Sequence, residues 1–158
     1  MFHIRVRPTA LIIQNDHVLM AEYRDEDGVH YNLPGGGAEP GETLEDGVRR
    51  EVWEETHAEV DVKSIAFVYE CVPDKQSGEY PDVKHSLHVI FECALKQGSQ
   101  PRLPDRPDET QTGIAWIPLN ELDNIILFPR IQSHIKEFAR SRRTVELIND
   151  YTLEKYLL

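Results

Sequence analysis

The segment that most constrains this chain runs from Gly35-Gly-Gly-Ala-Glu-Pro-Gly-Glu into Thr43-Leu-Glu-Asp-Gly-Val-Arg-Arg-Glu-Val-Trp-Glu-Glu-Thr. Its first part is too rich in Gly and Pro to be anything but loop. Thr43 then supplies an N-cap with an acid three residues on, and Leu44, Val48 and Val52 recur every four residues, which predicts a helix over Leu44 to Thr56. At about 100° per residue, with Glu51 at zero, Glu55 falls at about 40° and Glu54 at about −60°, while Leu44, Val48 and Val52 fall between about 20° and 100°. Two glutamates therefore share the direction of the apolar stripe. A carboxylate turned toward a core costs several kcal/mol unless it is paired or coordinated, so a cation is required there.

Arg50 can reach Glu54 at i, i+4, but by its wheel angle it points about 100° away from Glu51, and one guanidinium does not neutralise three acids. Divalent metal is the better counter-ion, and oxygen ligands without a His or Cys cluster select magnesium or manganese over zinc. Three glutamates alone would read equally well as a solvated helix face. The preceding loop adds what such a face lacks, backbone N–H groups of Gly36 and Gly37 and a helix N-terminus beside the acids, where phosphate and metal fit together. Gly47 points the same way. It costs about 1 kcal/mol relative to Ala inside a helix and lies between Glu51 and Glu54 on the wheel, leaving room for close approach.

The remainder reads as one domain over residues 1–158, with 144–158 a small extension that reads as either helix or strand. Thr9 to Ile13 and His17 to Tyr23 form a strand pair across Gln14-Asn-Asp, and Asp25-Glu-Asp-Gly breaks the pattern. Further strands are expected near Val60 to Cys71, Ser86 to Leu95 and Ile114 to Ile117, a helical turn at Leu119-Asn-Glu-Leu, and an amphipathic helix over Ile131 to Arg142. Pro73 to Lys84, with Lys75 and Tyr80, is a polar insertion suited to a specificity lid. The formal charge of −11 disfavours nucleic-acid polymers and anionic membranes as partners. No run is long and apolar enough to span a bilayer, and the N-terminus has no signal-peptide pattern, so a cytoplasmic protein is expected. Cys71 and Cys93 fit neither a disulfide framework nor a zinc spacing and read as reduced core residues.

Gly36, Glu42, Arg50-Glu51-Val52, Glu54-Glu55 and Ala58 reproduce the spacing G-x5-E-x7-R-E-U-x-E-E-x-G-U, and on these residues the chain resembles the Nudix hydrolases. His57 stands where the signature has Gly, a helix C-cap in left-handed geometry, and Ala58 is a modest occupant of an apolar position. The resemblance implies an α/β/α sandwich with a mixed β-sheet over Arg5 to Glu137. It also implies a metal-dependent pyrophosphohydrolase that cleaves a diphosphate linkage in a small nucleotide, either a nucleotide sugar such as ADP-ribose or a (d)NTP. Carried over by motif position, Glu51, Glu54 and Glu55 hold magnesium or manganese, Glu42 supports the loop–helix junction, and Arg50 orients the acids. Glu51 and Glu54 are candidates for the general base. An acid ahead of a Trp-containing strand is common in the family, which makes Glu109 a further catalytic candidate and Asp108 the second choice. Arg24 and Tyr31 are candidate contacts to phosphate and base. Pro73, fifteen residues beyond Ala58, is close to a proline position of the ADP-ribose branch. The alternative is a module of this fold that senses a nucleotide without cleaving it; a homodimer is the assembly allowed for.

Overall fold

A computed structural model describes residues 3–75 and 83–152. Six strands and two α-helices are arranged as β1 (Arg5–Gln14), β2 (His17–Asp25), β3 (Gly28–Asn32), α1 (Leu44–Thr56), β4 (Val60–Cys71), β5 (Ser86–Leu95), β6 (Gln111–Pro118) and α2 (Gln132–Ser141), with a 3-10 turn at Leu119–Asn124. The sheet runs β3-β2-β1-β5-β4, and β6 pairs with β2. β1 and β5 are parallel and the other pairings antiparallel, so the sheet is mixed.

The β1–β2 connection is a two-residue turn whose residues, Asn15 and Asp16, both have positive φ, the geometry that matches the twist of a hairpin. Only two residue pairs join these strands, Ile13 with Val18 and Gln14 with His17. Beyond them β1 and β2 diverge, and the Leu33–Gly36 chain enters the gap: the Ala10 N–H donates to the Pro34 carbonyl, and Thr9 bridges Gly35. The opening in the sheet is therefore where the glycine loop is held.

Alternation along the strands splits the core in two. Ala10, Ile12, Leu19 and Phe91 pack under Val48 and Val52 of α1 on one face. Leu11, Met20 and Ile90 pack under Ile135 and Phe138 of α2 on the other. The result is the expected α/β/α sandwich.

Three element boundaries differ from the sequence reading. Asp25-Glu-Asp-Gly is a tight turn rather than a break, closed by an Asp27 N–H donating to the Asp25 carboxylate and by Gly28 at φ 115°, and β3 returns from it. β1 begins at Arg5 rather than Thr9, because Arg5 and Arg7 continue the parallel register against Ser86 and His88. β6 begins at Gln111, three residues before the apolar run. Cys93 is buried as expected, whereas Cys71 is only half-buried; both are free thiols. Residues 76–82 of the proposed lid, Tyr80 included, lie outside the described residues. So do 153–158 of the C-terminal stretch, whose described part bridges Ile65 through Val145 and makes a 3-10 turn at Asp150–Thr152.

Candidate active site

Helix α1 is set by its ends. The Thr43 hydroxyl accepts from the Asp46 N–H at 3.1 Å. At the other end His57 takes left-handed geometry (φ 53°, ψ 28°), and its N–H donates to the Trp53 carbonyl. The cost of that geometry for a side chain is opposed by packing of the His57 ring against Trp53, with centroids 3.9 Å apart and the rings tilted by 33°. Gln111, buried at the start of β6, donates from its amide to the Glu55 carbonyl at 2.7 Å and ties the last turn to the sheet.

With both ends fixed, α1 presents Glu51 and Glu55 inward, 8% and 9% exposed. One Glu55 oxygen accepts from the Tyr23 hydroxyl at 3.0 Å and the other from the Gly35 N–H at 3.0 Å. Burial pushes the Glu55 carboxyl up to about 7, and those two donors only partly oppose it. Burial likewise raises Glu51 against the pull of Arg50. Glu54 stands at the mouth of the cleft, more than half exposed.

Arg50 corrects the wheel estimate. Its guanidinium forks onto Glu42 at 2.7 and 3.1 Å, reaches the neighbouring Glu51 at 2.7 Å and Glu54 at 3.4 Å, and donates to the Gly37 carbonyl at 3.0 Å. The wheel describes Cα–Cβ directions, and a long flexible side chain bends its head across them. Glu42, held below the usual carboxylate range chiefly by its hydrogen bond to Arg50, anchors the fork and also accepts from the Glu39 N–H.

The glycines act by absence of a side chain. A Cβ on Gly36 would collide with the Glu51 carboxylate, one on Gly35 would stand 2.6 Å from the Thr9 hydroxyl, and one on Gly47 would stand 2.8 Å from Pro8 Cγ. The Gly36 N–H donates to the Pro8 carbonyl and the Gly35 N–H to Glu55, so these two donors serve the fold rather than a phosphate. At Gly47 the close approach is that of β1 and Glu42.

Glu51, Glu54, Glu55 and Asp108 share a cleft of about 480 Å³, whose walls also include Trp53, His57 and Arg106. Both Asp108 and Glu109 are solvent-exposed, but only Asp108 lines it. Arg24 and Tyr31 are not brought to the cleft either. Tyr23 faces Glu55, so its strand neighbours Glu22 and Arg24 take the opposite side; the Tyr31 hydroxyl donates to Glu22 at 3.2 Å, and its ring packs on the α2-side core. Sequence reading missed Tyr23 and Gln111, whose roles arise from residues far away in the chain.

Among the described residues no three or more His, Cys, Asp or Glu are gathered closely enough, as they stand, to hold a metal ion. An open cleft walled by carboxylates fits a hard cation that keeps part of its water shell, which is the coordination magnesium prefers and manganese accepts. The buried, charge-costly Glu51 and Glu55 are the groups such a cation would relieve.

A family model described as NUDIX domain matches residues 4–140. The chain is 29% identical over 117 residues to a MutT-like protein of Streptomyces ambofaciens, with 74% of this chain and 66% of that protein aligned. It is 28% identical over 121 residues to the nucleoside triphosphatase NudI of Klebsiella pneumoniae, covering 72% of this chain and 82% of the relative. Thus it spans slightly under two thirds of the first relative's length. A solved structure titled NUDIX hydrolase from Nitrosomonas europaea superposes with a TM-score of 0.74 at 22% identity over 98% of both chains.

Proposed function

The chain belongs to the NUDIX domain family, and from that membership we propose that it is a metal-dependent pyrophosphohydrolase cleaving a diphosphate linkage in a small nucleotide, a nucleotide sugar or a (d)NTP. The observation that carries this reading is the pair of buried carboxylates, Glu51 and Glu55, opening with Glu54 and Asp108 onto one cleft. Buried acids without a structural cation for each are costly, and a divalent ion offsets that cost.

Glu51, Glu54 and Glu55 would hold magnesium or manganese, which when bound supplies charge neutralisation for the diphosphate and for the leaving phosphate. Arg50, fixed by Glu42, keeps Glu51 and Glu54 oriented. Tyr23 and the Gly35 N–H hold Glu55 in place. Asp108 is the cleft carboxylate that no hydrogen bond among the described residues engages, and it accepts the proton of the attacking water as that water's oxygen bonds to phosphorus and the P–O bond to the leaving phosphate breaks. No helix of the described residues is long and apolar enough to cross a membrane.

The test is a panel of nucleoside diphosphate sugars and nucleoside triphosphates, with magnesium, manganese or chelator, read by chromatography of the products. Metal-dependent cleavage within the diphosphate is the expected result. Saturable nucleotide binding without cleavage of any member would overturn hydrolysis in favour of a sensing module.

A further inference from the structure

On the opposite side of the Gly35–Gly37 loop from Glu51 lies a second cleft of about 480 Å³. Arg5 and Arg7 of β1, Lys84 ahead of β5 and Arg130 ahead of α2 all line it, and among the described residues that line it there is no Asp or Glu. None of the salt bridges among the described residues involves any of these four cations. In a chain with a formal charge of −11 this concentration is the reverse of the average surface. Four like charges around one cavity repel one another, and a bound anion removes that repulsion.

The wall also contains unspent hydrogen-bonding capacity. Arg7 donates from one terminal nitrogen to the Gly35 carbonyl at 3.0 Å, while its buried Nε has no partner. The neighbouring Asn32 Oδ1 is likewise buried and unpartnered. His88 adds no charge to the set, since burial and the two arginines push it down to about 4.

Neighbouring glycines of this loop face the two clefts. A Cβ on Gly36 would strike Glu51, and one on Gly37 would stand 3.0 Å from Arg5 Nε. A ligand whose diphosphate lies against the carboxylates would meet the cationic cleft across Gly36 and Gly37. The scissile diphosphate is balanced by metal on the acidic side, so the four cations call for an anion of their own. A phosphate monoester, near −2 at neutral pH and matched to guanidinium forks, fits them better than a singly charged carboxylate.

We propose that this cleft binds a phosphate monoester that the substrate carries in addition to its scissile diphosphate. The inference rests on the acidic cleft being the diphosphate site. The preferred substrate is then a nucleoside diphosphate derivative bearing a further phosphate.

Calorimetric titration in chelator tests this without any turnover. The probes are ADP-ribose against its 2′-phosphate, and inorganic phosphate as a probe free of linkage geometry. The variant is the Lys84→Gln, Arg130→Gln double substitution, at two exposed positions, with retention of the fold checked by circular dichroism. The 2′-phosphorylated ligand is expected to bind at least tenfold more tightly than ADP-ribose to the parent protein, with the preference lost in the double variant and the Kd of inorganic phosphate raised about tenfold. Equal affinities for the matched pair, or phosphate binding indifferent to the double substitution, overturn the inference. Cleavage of the panel without such a preference leaves the hydrolase reading standing and removes only this one. The preference in chelator without any metal-dependent cleavage does the opposite.

Discussion

The two clefts flanking the glycine loop are of equal volume and opposite charge. Glu51, Glu54, Glu55 and Asp108 wall one, and Arg5, Arg7, Lys84 and Arg130 the other. Asp105 lines the acidic cleft as well, so three of its five acids come from a single helix, two of them adjacent in sequence, whereas the cations come from β1 and two distant loops. Two of the acids are also locked: Arg50 holds Glu51, and Tyr23 and the Gly35 N–H hold Glu55, before any ligand arrives. The cations are looser, since Arg5, Lys84 and Arg130 are exposed and only Arg7 has a fixed contact to the loop. A preorganised set suits chemistry, which loses rate steeply with misplacement, while a looser set suits recognition of one end of a flexible ligand.

Breaking the acidic side should have the largest effect. Glu54→Gln and Glu55→Gln are each expected to lower metal-dependent turnover by roughly 100-fold or more, with the fold retained by circular dichroism. Near-parental turnover in both variants would show that these acids are not the reacting site. Next in size, Asp108→Asn should cost at least roughly tenfold in kcat, whereas Glu109→Gln should stay within about twofold; the reverse order would restore Glu109 as the base.

Metal distinguishes the clefts thermally as well. A ligand that binds only the folded state stabilises it by about 2.7 kcal/mol at one hundred times Kd. Millimolar magnesium or manganese should therefore raise the melting temperature by several degrees, and by much less in the Glu51→Gln, Glu54→Gln, Glu55→Gln variant. Superimposed melts with chelator and with metal would leave the acidic side an ordinary surface.

A subtler effect follows from the buried Glu55. Its folded-state value near 7 lies above the ordinary 4.5, so folding favours the protonated form. The stability it contributes is present in full below pH 4.5 and is lost as pH rises toward 7. His88 acts in the opposite sense, because its folded value is depressed to about 4 and its contribution is lost as pH falls from 6.5. In chelator, the difference in melting temperature between the parent and Glu55→Gln should thus shift against the parent across pH 4.5 to 7. A constant difference would mean that Glu55 is not protonated on folding.

The smallest expected change is at His57. Because the residue already occupies the left-handed cap, His57→Gly exchanges backbone strain for loss of the Trp53 contact, and the melting temperature should move by no more than about 2 °C with metal affinity unchanged. A large loss of metal binding would add His57 to the acidic cleft.

Legibility in the sequence followed how local each cause was. The limits of α1 and its Thr43 cap arise from residues within a few positions of one another and could be read directly, while the left-handed turn at His57 was legible only through the signature Gly it replaces. The Asp25-Glu-Asp-Gly turn was visible as a break, but β3 beyond it owes its existence to pairing with β2, which no local pattern records. Asp108 and Glu109 are adjacent and chemically alike, so only the path of the loop decided which one lines the cleft.

The sequence alone determined that a glycine loop runs into a helix carrying buried acids, because capping, helical period and the cost of burying charge act over a few residues. Tertiary structure decided what each group meets: Arg50 bends back to Glu51, Gly36 leaves space for that carboxylate, and Arg5, Arg7, Lys84 and Arg130 gather across the loop. Such contacts depend on strand order and on the splay between β1 and β2, which bring together residues that no spacing along the chain could associate.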